Sequence, residues 1–242
     1  MKIKYGFFFE NGRSEIIELN LNSRDLSLKP FPVEHEEPWT RLDFHRCRDC
    51  LLNRKEHTHC PVARNLSYVL NRFKEDISYI KVITRVSMRG RAVEKQATID
   101  EGVSSLMGLI MATSGCPVLD RFKPMAFTHV PFANESETIF RAVATYLTAQ
   151  LFRFKDGKSA DWELAGFREF YSTVNRVNLD FSERLRSFQV RDANINALIL
   201  LDIFAQIGSI SIVDDWMKKV KPLFSAFLQQ DQQPAKKKAP GI

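Results

Sequence analysis

The residues from 47 to 60, CRDCLLNRKEHTHC, concentrate side chains that bind transition metals. Three of the four cysteines in the chain and two of its five histidines lie in this segment. Zinc takes four tetrahedral ligands from cysteine thiolates and histidine nitrogens, and a C-x2-C pair supplies two of them from one tight turn. Cys47, Cys50 and Cys60 are therefore predicted to be metal ligands.

The fourth ligand is open between Cys116 and His57. Cys116 would tie the cluster to a distant part of the chain, and like Cys60 it is followed directly by a proline. His57 would instead close a local C-x2-C-x6-H-x2-C knuckle. Cys116 is the preferred interpretation, while His59 is a weaker candidate and His45 is expected to face solvent.

Zn²⁺ is the predicted cofactor, with an iron–sulfur cluster as the alternative. Four cysteines, two of them before proline, also suit an iron–sulfur cluster, but their spacing lacks the compact run of the bacterial ferredoxins. In a reducing compartment such cysteines are more often metal ligands or redox groups than disulfides. The first residues, MKIKYGFFFENG, show no secretory signal, and the uncharged run 102–115 is too short for a membrane span. A cytoplasmic protein is predicted.

A catalytic role for Cys116 would need a base and an orienting carboxylate. His129 is the only histidine downstream, and Asp120 could orient it. Such a triad is defined by geometry rather than by spacing, so the signal is weak. The sequence favours a non-enzymatic protein.

Two hairpins are predicted in the first half of the chain. Apolar residues alternate with polar ones over residues 2–9, Asn11-Gly12 is a strong turn signal, and Ile17, Leu19 and Leu21 mark a returning strand. Leu26 and Leu28 are a candidate short third strand. Residues 79–88 and 91–98 form the second hairpin, across Arg89-Gly90.

The second hairpin, residues 79–97, is rich in cations. It carries five Lys or Arg residues against the single acid Glu94. Charged edge strands often protect a sheet from aggregation, which is the preferred explanation, and a nucleic-acid surface is the alternative. The net charge of +6, half of it from three lysines at 236–238, is modest for the length and does not by itself indicate nucleic-acid binding.

Helices are predicted on both sides of the metal ligands. Pro61 suits the first turn of a helix, so Cys60 should lie at a helix N-terminus. Thr98 and Glu101 are predicted to form a capping box that opens a buried helix over residues 103–111, which ends at Gly115.

The second half of the chain is predicted to be helical. Asn134 and Glu137 predict a capping box, followed by an apolar stripe of Ile139, Phe140, Val143, Leu147 and Leu151. A long helix is predicted over residues 161–188, a central apolar helix over 194–205, and a closing helix over 212–228. Residues 229–242 are polar and are predicted to be disordered.

These elements predict an α+β fold. Residues 1–116 form a β-hairpin-rich, metal-stapled half with the C-x2-C site and two helices. Residues 117–228 form a helical bundle on which that half packs, and residues 229–242 are the tail.

The chain resembles an uncharacterised bacterial family, a domain of unknown function. The resemblance rests on the N-terminal hairpin, the C-x2-C…H-x2-C-P element at Cys47, Cys50, His57 and Cys60, and the run SSLMGLIMATSGCP that ends at residue 117. The run DANINALILLDIFA also fits. The resemblance implies a bacterial cytosolic protein and brings no activity with it.

The predicted function is a metal-stabilised binding or regulatory module. Its partner would be a protein or a small ligand, and the metal would supply folding free energy. An enzyme or redox protein that uses the metal or Cys116, and a nucleic-acid binder that uses the basic hairpin, are the alternatives.

Overall fold

The computed structural model describes residues 1–32, 35–187 and 210–229. It has an α+β fold, with one four-stranded antiparallel sheet and helices packed against it. The predicted central helix at 194–205 lies outside the described residues, and so does the predicted tail apart from Gln229. None of the helices in the described part of the chain is long and apolar enough to cross a bilayer.

Both predicted hairpins are confirmed. The strands are β1 (Lys2–Phe9), β2 (Ser14–Asn20), β3 (Lys81–Met88) and β4 (Arg91–Thr98), in the order β2-β1-β3-β4. Gly12 and Gly90 lie in the two turns with φ of 84° and 74°, a region that favours glycine. The predicted third strand is wrong, because Leu28 makes only an isolated bridge to Leu21.

The sheet buries one face. Ile3, Tyr5 and Phe7 on β1 are fully buried, as the alternation predicts. The edge strand β4 is exposed along most of its length. The helices therefore cover one side of the sheet and leave its basic edge in solvent.

The helices follow the apolar periodicity of the sequence. In the described residues, three short 3-10 turns connect or extend them: Pro38–Thr40, Leu119–Phe122 and Lys221–Phe224. The α-helices are α1 (Pro61–Arg72), α2 (Ile99–Thr113), α3 (Lys123–Phe127), α4 (Glu135–Lys155), α5 (Ala165–Ser187), α6 (Ile210–Val220) and α7 (Ser225–Leu228).

One of the two predicted capping boxes is confirmed. At the start of α4, the Glu137 amide donates to the Asn134 side chain at 2.9 Å, and the Asn134 amide donates to the Glu137 carboxylate at 2.8 Å. The box predicted at Thr98 and Glu101 is wrong, since the Thr98 side chain caps nothing at the start of α2. Glu101 instead forms an ion pair with Lys95 on β4, with an N–O distance of 2.5 Å.

The apolar stripe predicted on α4 is only partly buried. Ile139 and Val143 are buried, but Phe140 is 48% exposed and Leu151 is 41% exposed. On α5 the apolar residues that recur at helical spacing are all buried: Phe167, Phe170, Val174, Val177, Phe181 and Leu185.

Helix α2 packs closely on the sheet, and Gly102 makes this possible. A Cβ atom at Gly102 would lie 2.6 Å from Oγ1 of Thr84 and 2.8 Å from a ring carbon of Phe7. Cβ contacts this short are not tolerated without movement of a neighbour. The glycine therefore sets the distance between α2 and strands β1 and β3.

Gly102→Ala should lower the free energy of unfolding by about 1 to 3 kcal/mol, because overpacking outweighs the helix propensity of alanine. Urea denaturation followed by circular dichroism measures the change. In a Thr84→Ala background the cost should shrink, because one of the two clashing groups is gone. A stabilisation of about 1 kcal/mol, as expected for an unhindered Gly→Ala change in a helix, would contradict this account.

Candidate functional site

Two cysteines lie in matching turns. Cys60 and Cys116 are each followed by Pro-Val, and each precedes a helical segment. Burial raises the pKa of Cys60, and the nearby amides of Ala63 and Val62 act in the opposite direction. The amides two and three residues after Cys116 oppose the effect of burial on its pKa in the same way. Backbone amides aimed at a sulfur stabilise its thiolate form.

The cysteines of both segments influence one another. Burial, followed by the charge of Cys60, raises the pKa of Cys47 to about 12. Burial raises the pKa of Cys116 to about 11, and the charges of Cys60 and Cys50 add to this effect. Because such effects act over short distances, thiols from residues 47–60 and from residue 116 share one region of the fold.

The predicted ligands have different surroundings. All four cysteines are half-buried and free of disulfides. His57 is exposed, and His59 contacts Thr58 at 3.1 Å and lies 3.7 Å from a Glu36 oxygen. His45 is exposed, as expected. Within the described ranges, no three Cys, His, Asp or Glu side chains already stand in a metal-holding arrangement, so the ligand assignment stays a prediction.

Helix α5 holds the C-x2-C turn in place through two ion pairs. The Arg48 guanidinium donates to both oxygens of Asp180, with a shortest contact of 2.7 Å, and the Arg48 amide donates to the same carboxylate at 2.8 Å. Arg176 pairs with Asp49 at 2.6 Å. Two residues between the cysteines are thus bonded to a helix more than a hundred residues away in sequence.

Arg184 on α5 is the most unusual buried residue of this region. It is 1% exposed, and its guanidinium donates to the backbone carbonyls of Trp39 and Arg41, each at 2.8 Å, and of Leu42 at 3.3 Å. A buried guanidinium needs such partners to offset its desolvation. Arg184 therefore fixes the irregular segment that leads into the cysteines.

The charge of Arg184 also reaches the thiols. It lowers the pKa of both Cys47 and Cys60, although burial has the larger effect and raises them. A cation at this position would compensate the negative charge of a thiolate cluster.

The catalytic alternative, in which His129 and Asp120 would activate Cys116, finds no support in the contacts of these residues. Nε2 of His129 shares a hydrogen bond with the Tyr5 hydroxyl at 2.6 Å, and Asp120 pairs with Lys123 at 2.8 Å. The raised pKa of Cys116 would leave its thiol protonated at neutral pH, whereas a nucleophile needs the thiolate. This environment does not support a nucleophilic Cys116.

The basic hairpin is partly neutralised. Arg85 pairs with Glu94 at 2.6 Å, and Lys95 pairs with Glu101 at 2.5 Å. Arg89 lies over the ring of Phe127 at 4.3 Å. Arg85 and Lys95 are thus paired with acids of the same surface, and nucleic-acid binding stays an untested alternative.

Sequence reasoning missed a cavity of about 480 Å³ beside α2, here called the α2 cavity. Ser105 and His129 line it, and both are bonded to the Tyr5 hydroxyl, at 2.9 and 2.6 Å. The polar residues Arg141, Tyr171 and Asn178 also face it. Its apolar wall includes Leu109, Met111, Leu119, Phe122, Met125 and Val174. The small residues Ser104, Ser105 and Gly108 of α2 were the sequence signal for this cavity, because small side chains leave space beside a helix.

The sequence comparisons identify a family. Residues 3–225 match the family described as Domain of unknown function (DUF6901), and the chain belongs to that family. No curated protein and no solved structure matches the chain. The resemblance to an uncharacterised family is thus confirmed, and the family description assigns no activity.

Arg184→Ala should lower the free energy of unfolding by about 3 kcal/mol or more, because three carbonyls lose their donor and a cavity is left. Arg186→Ala, two residues further along α5 and exposed, is the matched control and should change it by less than about 0.5 kcal/mol. Urea denaturation compares the two variants. Equal stabilities would show that Arg184 does not anchor the segment before the cysteines.

His129 should make the protein acid-sensitive. Burial, with added effects of Arg141 and Arg91, lowers the pKa of His129 to about 4. The folded chain therefore resists protonation, so this contribution to stability is complete above pH 6.5 and is lost as the pH falls towards 4. Between pH 7 and pH 5 the loss should be about 2 kcal/mol.

His129→Gln should remove that part of the pH dependence, while His35→Gln, at an exposed histidine, should leave it intact. Denaturation at pH 7, 6 and 5 provides the comparison. The account fails if the wild type and His129→Gln lose stability in parallel.

Proposed function

We propose that this protein is a zinc-stabilised ligand-binding module, in which Cys47, Cys50, Cys60 and Cys116 hold the metal. The observation that carries the proposal is the pair of matching Cys-Pro-Val turns, one at Cys60 and one at Cys116. In both turns the amides two and three residues further on lower the pKa of the cysteine against the larger effect of burial, and the charge of Cys60 raises the pKa of Cys116.

The chemistry of this region suits a zinc thiolate site. Structural zinc sites are built from four cysteines or from cysteines and histidines, and their thiolates are stabilised by hydrogen bonds from neighbouring amides. The buried cation of Arg184 would offset the charge of four thiolates around one Zn²⁺. A metal would have to draw the thiols closer than they stand in the chain described here.

Cys116 is better supported than His57 as the fourth ligand. The charge of Cys60 and that of Cys50 act on Cys116, whereas His57 is exposed on a loop turn. A site with Cys116 would bond α2 to the loop before α1. Zinc, when bound there, would supply folding free energy on the order of 10 kcal/mol.

The binding part of the proposal rests on the α2 cavity. Its volume lies within the range of about 300 to 1,000 Å³ that is typical of small-molecule sites, and its wall is mainly apolar with a few polar groups. We also propose that the protein works in a reducing bacterial cytoplasm, because free thiols persist there.

Metal analysis of protein purified without chelators tests the zinc site. We expect about one Zn²⁺ per chain, from the ligand count of a single tetrahedral site. Cys60→Ser and Cys116→Ser should each lose the metal and lower the melting temperature, whereas His57→Ala should retain both. An iron–sulfur cluster would instead give a brown protein that contains iron and sulfide.

Ser114→Ala is a control for perturbation near Cys116, since it removes a hydroxyl bonded to the Ile110 carbonyl without removing a thiol. It should keep full metal content. A protein that binds no metal even after reconstitution with Zn²⁺ under reducing conditions would overturn the proposal, and metal retention in Cys116→Ser with loss in His57→Ala would reassign the fourth ligand.

A further inference from the structure

We infer that the α2 cavity binds a hydrophobic monocarboxylate, with the carboxylate held at Arg141 and the hydrocarbon against the apolar wall. This inference names the ligand class of the binding module proposed above, and it rests on the binding part of that proposal and not on the metal.

Arg141 has unused capacity to bind an anion. Its Nη2 donates to the Met125 carbonyl at 2.5 Å, and its Nη1 makes no hydrogen bond within the described residues, while the unpaired Nε is closed off from solvent. Arg141 also forms no ion pair with a described carboxylate. The acid one turn away, Glu137, already accepts the Asn134 amide in the capping box. A guanidinium offers several donors in one plane and matches a carboxylate with two of them.

His129 and Tyr171, which line the cavity together with Arg141, are neutral. Burial lowers the pKa of His129 to about 4, so its ring is uncharged at neutral pH. Burial also raises the pKa of the Tyr171 phenol, which stays protonated and can donate. At the rim, Lys95 and Glu101 neutralise each other. Arg141 therefore lines the cavity as a cation without an ion pair in the described residues, although the charge of Glu137 acts on it, and a ligand with one negative charge would complement it.

The rest of the cavity suits a hydrocarbon. Leu109, Leu119, Phe122, Met125 and Val174 form much of the wall. Each methylene that leaves water for such a surface contributes about 0.8 kcal/mol. Methionine side chains adapt to the shape of what they contact, and this suits a ligand whose hydrocarbon chain is flexible. A phosphate ester would bring a second charge and would need further donors, so a carboxylate fits this wall better.

Isothermal titration calorimetry of the full chain with octanoate and with octanol tests the inference. The two ligands share a hydrocarbon chain and differ in the charge that Arg141 would bind. Octanoate should bind at one site and about tenfold or more tightly than octanol.

Arg141→Met keeps an apolar stem but removes the guanidinium, and it should abolish the preference for octanoate while leaving octanol binding within about twofold. Arg141→Lys should retain part of the preference. Arg153→Met, on the exposed side of the same helix, carries the same charge change and should bind octanoate like the wild type. Circular dichroism and melting temperature establish that each variant folds.

Equal affinities for octanoate and octanol, or no saturable binding of octanoate, would overturn the inference. So would an undiminished octanoate preference in folded Arg141→Met. The metal content of each sample separates this result from the zinc site: a chain with full zinc and no octanoate preference refutes the ligand class alone. A chain without zinc that still prefers octanoate refutes the metal site alone.

Discussion

The Arg184 guanidinium is the contact on which the arrangement of the cysteine region depends. The segment between β2 and α1 has little regular structure of its own, and its backbone carbonyls need donors where it is buried. Arg184 supplies them to three successive parts of that segment, at Trp39, Arg41 and Leu42. A side chain without donors at this position would remove these three hydrogen bonds, while the ion pairs Arg48–Asp180 and Arg176–Asp49 hold the C-x2-C turn against the same helix.

Helix α2 links the two candidate sites. Its C-terminal end leads through Gly115 into Cys116, while Ser105 and Leu109 face the α2 cavity. Gly102 sets its distance from the sheet at the other end. The same helix therefore forms a wall of the ligand space, a support for one thiol and the main covering of the sheet, so a displacement along its axis would be felt at all three.

Local patterns predicted the regular elements, and long-range contacts account for what they missed. Both hairpins and the helix after Cys60 follow from alternation, turn residues and apolar spacing. The capping box predicted at Thr98 is not formed, and the Glu101 carboxylate pairs instead with Lys95 on β4. Arg184 lies in a helical pattern where an arginine indicates solvent, and only the carbonyls it meets, far away in sequence, make its burial favourable. The cavity arises from packing between helices, which no single pattern encodes.

The sequence separations of these contacts bear on how the chain matures. More than 140 positions divide Arg184 from Leu42, and 132 divide Arg48 from Asp180. Synthesis on the ribosome proceeds at about 5 to 20 residues per second, so Arg48 is made about 7 to 26 seconds before its partner Asp180 on α5. During that interval the thiols of residues 47–60 lack the contacts with α5 that hold their loop in the folded chain. The finished loop is thus a late product of folding, although it is among the first segments made.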